Sequence, residues 1–236
     1  MEPQMLEHLL RGVRCTFEGS REQQYRMGEV ASGPMEAEKR LLQRIQAQDT
    51  VLDLGCAAGR ILLPLAQRGI RVLGIDVALV LLREAAKLSQ TYQISVPLAQ
   101  GDPIHLPFKG NTFDKIIFLK TYCYVPGRAN RIRWLSELQA LLRGAGEVLF
   151  SQYVIDEAVG SYEPILADTA QRFPALVDQL EEGDGFSAPG EGKESPWYLH
   201  YFLECDLLAE LREGGFVLES GQRKEHIFHG ILKSTR

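Results

Sequence analysis

Three aspartates lie within or just after apolar runs, at intervals that suit the binding of a nucleoside. Asp53 lies within the first run, Asp76 ends the second and Asp102 follows the third. An ionised carboxylate accepts hydrogen bonds on both oxygens, so it can bind two vicinal hydroxyl groups at once. In nucleotide-binding α/β units, an acid about 20 residues after a glycine-rich loop takes the ribose hydroxyls. Asp76 lies at that distance from Gly55, and we predict that it binds ribose.

The loop after the first apolar run has the pattern Asp53-x-Gly55-x-Ala57-x-Gly59. Glycines allow a sharp turn and a close approach of the backbone to a ligand, and the first N–H groups of a following helix are free for a polar or anionic group. A dinucleotide loop, Gly-x-Gly-x-x-Gly, would need glycine in place of Ala57 and Arg60, which argues against NAD. Because Ala57 carries a side chain, we expect its φ to be negative.

This spacing resembles motif I of the class I S-adenosylmethionine-dependent methyltransferases, usually written Asp/Glu-x-Gly-x-Gly-x-Gly, with Ala57 as the departure. The resemblance implies S-adenosyl-L-methionine as cofactor and S-adenosyl-L-homocysteine as product. It also implies that Asp102 meets the adenine amine. The residues implied to bind the cofactor through side chain or backbone are Asp53, Gly55, Cys56, Ala57, Gly59, Asp76, Val77, Asp102, Pro103, Ile104, Phe118, Leu119, Tyr25 and Arg26.

Tyr25 and Arg26 belong to this set only because of where they lie. In related enzymes the corresponding segment closes over the cofactor, and an aromatic or arginine side chain there can meet the cofactor's carboxylate. A pair of surface residues is the alternative interpretation.

Apolar runs alternate with helical stretches from residue 51 to 153, which predicts parallel strands covered by helices on both faces. We predict strands at 51–54, 70–75, 95–99, 113–119, 147–153, 216–219 and 226–232. We predict helices at 60–68, 78–91, 129–143 and 204–213. The predicted fold class is therefore α/β, a doubly wound, mostly parallel seven-stranded sheet with an antiparallel last strand. Ligands bind such a sheet at the carboxyl ends of its strands.

Composition and pattern divide the chain into four parts. These are an N-terminal helical cap at 1–48 broken near 28–34, a Rossmann-like cofactor-binding core at 49–153, an acidic insertion at 154–196, and a C-terminal completion of the sheet at 197–236. The insertion carries ten acids against two bases. We predict that it contains a helix over 165–180 interrupted by Pro174, and a mobile loop at 183–192. It is either a substrate flap or an acidic solvated flap without substrate contact.

The sequence defines the residues that would bind the methyl acceptor less well than those that would bind the cofactor. The segment after the fourth strand, 120–124, lacks the Asn-Pro-Pro-aromatic signature of amine methylation on adenine or glutamine. His200 is the best candidate base by chemistry, because the unperturbed pKa of histidine is about 6.5; a structural hydrogen-bonding role is the alternative. The aromatic residues that could line an acceptor pocket, or simply pack in the core, are Tyr124, Tyr153, Trp197 and Tyr201.

Charge and cysteine usage restrict the partners. The net charge is −5, so the chain has no global basic footprint for nucleic acid. Arg128, Arg131 and Arg133 are expected on a solvated helix face. The four cysteines are widely separated and form no zinc-type spacing, which predicts free thiols and no metal site. No signal peptide or membrane span is predicted, and we expect a cytoplasmic protein, monomeric or homodimeric.

Three functions remain open at this point. The first is methyl transfer to an oxygen, nitrogen or carbon of a small-molecule acceptor, by in-line displacement. The second is modification of tRNA or rRNA by a methyltransferase of the same fold. The third is a non-catalytic module that binds S-adenosylmethionine and regulates a partner.

Overall fold

The computed structural model describes residues 1–102, 105–155, 160–187 and 197–236. Its strands are β1 (Thr50–Leu54), β2 (Arg71–Asp76), β3 (Leu98–Gln100), β4 (Phe113–Leu119), β5 (Leu142–Tyr153), β6 (Asp184–Ser187), β7 (Trp197–His200), β8 (Phe216–Lys224) and β9 (Ile227–Ser234). Its α-helices are α1 (Pro3–Phe17), α2 (Ser20–Ser32), α3 (Glu36–Leu42), α4 (Leu62–Gln67), α5 (Leu79–Thr91), α6 (Arg128–Leu141), α7 (Glu163–Arg172) and α8 (Glu204–Glu213). Two 3₁₀ helices cover Tyr122–Tyr124 and Val177–Gln179.

Seven strands of the described part form one sheet, in the order β3-β2-β1-β4-β5-β9-β8. The strands from β3 to β5 pair in parallel, whereas β9 is antiparallel to both β5 and β8. The predicted doubly wound sheet with an antiparallel last strand is therefore confirmed. The strand order reverses between β1 and β4, and this switch point is where ligands bind in such sheets.

Both faces of the central strands are buried. On β4, the adjacent residues Ile117 and Phe118 point to opposite faces because side chains alternate along a strand, and both are fully buried. Phe118 packs with Trp134 of α6, while Ile117 packs with Leu62 of α4. This two-sided burial explains why the strands read as continuous apolar runs.

The N-terminal segment is helical as predicted and has two breaks, of which the second, between Ser32 and Glu36, overlaps the predicted one near 28–34. The first break falls at Glu18 and Gly19, and α2 runs through Gly28 to Ser32. Gly33, at φ +69°, ends α2 in a backbone conformation that favours glycine. Helix propensity alone did not reveal that Gly28 is tolerated inside a helix.

The segment after β5 is more ordered than its composition predicts. The helix predicted over 165–180 is interrupted near Pro174 as expected: α7 ends at Arg172, and the part after Pro174 is a short 3₁₀ helix. Asp184–Ser187 forms β6 and pairs antiparallel with β7, so the prediction of a loop was wrong for these four residues. The rest of the predicted loop, 188–192, lies outside the described residues. No helix of the described part is long and apolar enough to cross a membrane.

Candidate active site

A cavity of about 780 Å³, including its opening to solvent, lies at the carboxyl ends of β1, β2 and β4, beneath the N-terminal helices. It forms at the switch point of the strand order, where the two neighbouring connections leave the sheet on opposite faces. The residues that line it are Val13, Phe17, Arg26, Leu54, Gly55, Ala57, Ile75, Asp76, Val77, Gly101, Asp102, Leu106, Leu119, Lys120, Thr121, Tyr124, Trp134 and Tyr153.

Asp76 lies at the end of β2 and joins the cavity to the glycine loop. Its Oδ2 accepts a hydrogen bond from the Ala57 N–H at 2.9 Å, and its Oδ1 accepts one from the Ala78 N–H at 2.8 Å. Burial raises the pKa of Asp76, and these two backbone donors oppose that shift. Each carboxylate oxygen keeps acceptor capacity for a further donor, such as a ribose hydroxyl.

The glycine loop itself forms the wall of the cavity next to β1. The N–H groups of Gly55 and Cys56 donate to the Ile75 carbonyl at 2.8 and 3.2 Å, which holds the loop against β2. Gly55 has φ +73°, and a Cβ there would lie 2.5 Å from Oγ1 of Thr121. Glycine is thus required at Gly55 both for conformation and for space.

Ala57 differs from the expectation of a negative φ. Its φ is +47°, in the left-handed region that side chains rarely adopt. The hydrogen bond from its N–H to Asp76 holds this conformation. Ala57 thus adopts a backbone conformation that favours glycine, the residue that the family motif usually has at this position.

Beside the cavity lies a buried ionic cluster that sequence patterns did not reveal. Glu38 of α3 is completely buried and accepts hydrogen bonds from both terminal nitrogens of Arg60, one of them at 3.0 Å. Lys120, directly after β4, lies 3.8 Å from the same carboxylate. Burial tends to raise the pKa of Glu38, but the bound Arg60 holds it below its usual value.

Asp53, the acid of the loop motif, does not line the large cavity. It lines a smaller neighbouring pocket with Arg60 and Lys120. Its Oδ2 is buried and has no hydrogen-bond partner among the described residues. Burial raises the pKa of Asp53 to about 7, against the opposing effect of Arg60.

The other residues predicted to bind the cofactor fall into distinct groups. Those that line the large cavity are Arg26, Gly55, Ala57, Asp76, Val77, Asp102 and Leu119. Cys56 lines only the smaller pocket, and Phe118 is buried in the core. Gly59 does not line the cavity, and its φ of +96° serves the turn into α4. Pro103 and Ile104 lie outside the described residues.

The structure places the adjacent residues Tyr25 and Arg26 in different surroundings. The Tyr25 side chain is 57% exposed and does not line the cavity. Arg26 lines it, lies over the Phe17 ring at 5.2 Å and donates to Glu29 at 2.7 Å. The Nε atom of Arg26 is buried and has no partner among the described residues, so it has a donor to offer to a ligand.

Of the four aromatic residues predicted for the acceptor, two line the cavity. Tyr124 packs edge-on against Phe17 at 5.1 Å, and Tyr153 ends β5. Burial raises the pKa of Tyr153 to about 12, so its hydroxyl is protonated at neutral pH. Trp197 and Tyr201 lie on or just after β7 and are not among the lining residues.

His200 does not line this cavity either, which removes the geometric basis for assigning it the role of base. It is buried, and its Nδ1 lies 2.7 Å from Oδ1 of Asp184, which also accepts from the Tyr198 hydroxyl at 2.6 Å. His200 borders a separate polar pocket with Arg131. The alternative of a structural hydrogen-bonding role fits this position.

Arg131 was expected on a solvated helix face, and this was wrong. Its side chain is 1% exposed and forms a two-point ion pair with Glu210 of α8, at 2.9 and 2.8 Å. The Tyr122 hydroxyl donates to the same carboxylate at 2.8 Å. Helical spacing places Arg131 beside α8, a neighbour that the local sequence does not specify.

Nine lining residues were missed by sequence reasoning, namely Val13, Phe17, Leu54, Ile75, Gly101, Leu106, Lys120, Thr121 and Trp134. Five of them lie at or directly after the carboxyl ends of β1 to β4, where a search of all the strand ends would have found them, namely Leu54, Ile75, Gly101, Lys120 and Thr121. The other four come from α1, from the connection between β3 and β4, and from α6. Their position depends on packing between elements, and no local pattern marks it.

Comparison with known proteins gives matches at the levels of domain, sequence and fold. Residues 51–146 match a family model described as a methyltransferase domain. A candidate methyltransferase of Encephalitozoon cuniculi is 26% identical over 188 residues, which make up 79% of this chain and 79% of that protein. The sterol 24-C-methyltransferase of Saccharomyces cerevisiae is 25% identical over 144 residues, 60% of this chain and 35% of that protein. A SAM-dependent methyltransferase from Methanosarcina mazei shares the fold, with a TM-score of 0.72 and 20% identity over 86% of this chain and 98% of that one.

Proposed function

Since the chain belongs to the class I S-adenosylmethionine-dependent methyltransferases, we propose that it transfers the methyl group to a small-molecule acceptor. The acceptor atom is an oxygen, nitrogen or carbon. The single observation that carries the proposal is the two-sided character of the cavity. One side presents the glycine loop, Asp76 and Asp102, and the other presents apolar and aromatic side chains.

The residues present fit the cofactor. Asp76 offers acceptors for ribose hydroxyls, and Gly55 lines the cavity with backbone alone, which lets a ligand approach the loop closely. The unpartnered Nε of Arg26 offers a donor to a carboxylate. We assign these three residues to the binding of ribose, of the chain next to the loop, and of the amino-acid carboxylate.

When bound, S-adenosylmethionine supplies a methyl group made electrophilic by the sulfonium. The contribution of the protein is to orient the acceptor and to exclude water from the line of displacement. Orientation alone is worth roughly 7–11 kcal/mol of barrier in favourable intramolecular cases. Tyr124 and Tyr153 restrict the orientation of an acceptor, and Val13 and Phe17 of α1 cover the cavity.

Two further observations favour a small molecule over RNA. The net charge of −5 lacks the basic excess that phosphate binding demands. The sterol 24-C-methyltransferase that the chain resembles acts, by its name, on a small lipid. The chain covers only 35% of that protein, so the likeness supports the size class of the acceptor and not its identity.

The test is calorimetric titration with S-adenosylmethionine, S-adenosylhomocysteine and NADH, followed by a screen of small-molecule acceptors with methyl-labelled cofactor. We expect the two sulfur nucleosides to bind, NADH not to bind, and label to pass to a small molecule. Label transferred only to RNA, with an affinity that falls steeply as salt rises, would favour RNA modification. Normal cofactor binding without transfer to any acceptor would favour a regulatory module.

A further inference from the structure

Lys120 is a cation of the cavity that the proposed cofactor contacts do not use. Its side chain is only 11% exposed, and its Nζ lies 5.9 Å from the centroid of the Tyr153 ring, which lines the cavity. Lys120 lines both the large cavity and the smaller pocket beside it. Its ammonium group therefore lies where an acceptor held against Tyr153 would be near it.

The charge of Lys120 is poorly compensated within the protein. Its ion-pair partner in the described part of the chain is Glu38, at 3.8 Å, which is beyond hydrogen-bond distance. Glu38 is already engaged by Arg60 and by the Met35 N–H at 2.8 Å. Burial lowers the pKa of Lys120, and the neighbouring Arg60 and Arg26 lower it further, although Glu38 opposes them.

An ammonium carries three donors, yet Nζ of Lys120 forms no hydrogen bond to any residue in the described part of the chain. Arg26, the other cation of the cavity, differs because Glu29 already neutralises it at 2.7 Å. A buried cation without acceptors is costly unless a ligand supplies them. An oxyanion is the group that would satisfy Lys120.

We propose that the acceptor is an aromatic or aliphatic molecule bearing a carboxylate, which Lys120 binds while its apolar body packs against Tyr124 and Tyr153. This inference rests on the proposed function and adds the chemical class of its acceptor. Lys120 acts as a binding residue that selects the acceptor.

The experiment uses the full chain saturated with S-adenosylhomocysteine. Matched pairs of probes are titrated by ligand-observed NMR: 3-phenylpropionate against 3-phenylpropionamide, and indole-3-acetate against indole-3-acetamide. Each pair keeps its apolar body and differs in charge. We expect each carboxylate to bind about tenfold more tightly than its amide, a difference of about 1.4 kcal/mol. Equal binding within the pairs, or no binding of the carboxylates at millimolar concentration, would overturn the proposal.

Variants assign the preference to a residue. In Lys120→Met the ratio within each pair should fall to about one, whereas Lys120→Arg should retain a preference for the carboxylate. Lys109→Met removes the same charge from an exposed loop position and should leave the ratio unchanged. A Lys120→Met variant that keeps the wild-type ratio would show that another group selects the carboxylate, and the proposal would be wrong.

A separate titration distinguishes Lys120 from a contact to the cofactor. S-adenosylhomocysteine carries a carboxylate, and 5′-methylthioadenosine lacks the amino-acid portion. If Lys120→Met weakens binding of the first about tenfold but not of the second, Lys120 binds the cofactor and the proposal is overturned. Failure of the wild type to bind S-adenosylhomocysteine at all would instead contradict the proposed function.

Discussion

The carboxylate of Asp76 at the end of β2 accepts the N–H of Ala57 at 2.9 Å, so it holds in place the loop that follows β1. The same carboxylate lines the cavity in which we place the cofactor. We therefore propose that one side chain serves both the shape of the loop and the binding of ribose. Because Ala57 adopts a left-handed φ of +47°, the loop depends on this bond more than a loop with glycine would.

Replacement of Asp76 by alanine should weaken S-adenosylhomocysteine binding at least tenfold. The variant loses an acceptor for ribose, and hydrogen bonds to charged groups contribute about 1.5–3 kcal/mol each. Isothermal titration calorimetry measures the change. Asp178→Ala, at an exposed site in the 3₁₀ helix Val177–Gln179, is the matched control and should bind as the wild type does. Unchanged affinity in Asp76→Ala would remove Asp76 from the site.

Replacement of Gly55 by alanine should lower the free energy of unfolding by roughly 2–4 kcal/mol, because a left-handed φ and a steric clash both oppose the new Cβ. The clash is with Thr121, whose Oγ1 would lie 2.5 Å away. Gly28→Ala is the control, since Gly28 lies inside α2 with nothing within 4 Å of an added Cβ. That change should stabilise the protein by about 0.5–1 kcal/mol. Urea denaturation measures the free energy of unfolding of both variants. Equal destabilisation of the two would contradict the argument that φ and the clash at Gly55 cause the loss.

Asp53 should make stability depend on pH. Its pKa is about 7 in the folded protein and near 3.8 when unfolded, so the folded state binds the proton more tightly. The free energy of unfolding contributed by Asp53 is therefore fully present below about pH 4 and is lost as pH rises through 7, by roughly 2–4 kcal/mol in total. Asp53→Asn should flatten this part of the curve of unfolding free energy against pH. Urea denaturation at pH values about half a unit apart, between about pH 4.5 and 8, measures both proteins. A variant with the slope of the wild type would refute the assignment.

Two glutamates on α8 offer a comparison of buried and exposed ion pairs. Glu210→Gln removes the two-point partner of the buried Arg131, leaves it only Glu181 at 3.3 Å, and should cost roughly 3 kcal/mol of stability. Glu213→Gln breaks an exposed pair with Arg128 at 2.6 Å and should change stability little, because solvent screens that pair. Thermal and chemical unfolding measure both. Similar losses in the two variants would contradict the role assigned to burial.

The fold was largely predictable because its strands are marked by their own residues. Parallel strands buried on both faces read as apolar runs, and β4 begins and ends at the predicted residues. The ends of other elements shifted because hydrogen bonding to neighbours decides them. For example, β5 begins at Leu142, because Leu142 pairs with Phe113 across an irregular register. Similarly, β6 forms in a glycine-rich segment because β7 offers it a partner.

The sequence by itself determined the glycine loop and the acids at the strand ends. Their spacing along the chain fixes the parallel strand at whose end each of them lies. Tertiary structure alone decided which other side chains meet them. His200 lies with Asp184 and away from the cavity, Arg131 is buried, and Lys120 joins Glu38 and Arg60 beside the loop. These contacts join residues far apart in the chain, and their geometry depends on helix packing and strand register, which no local pattern encodes.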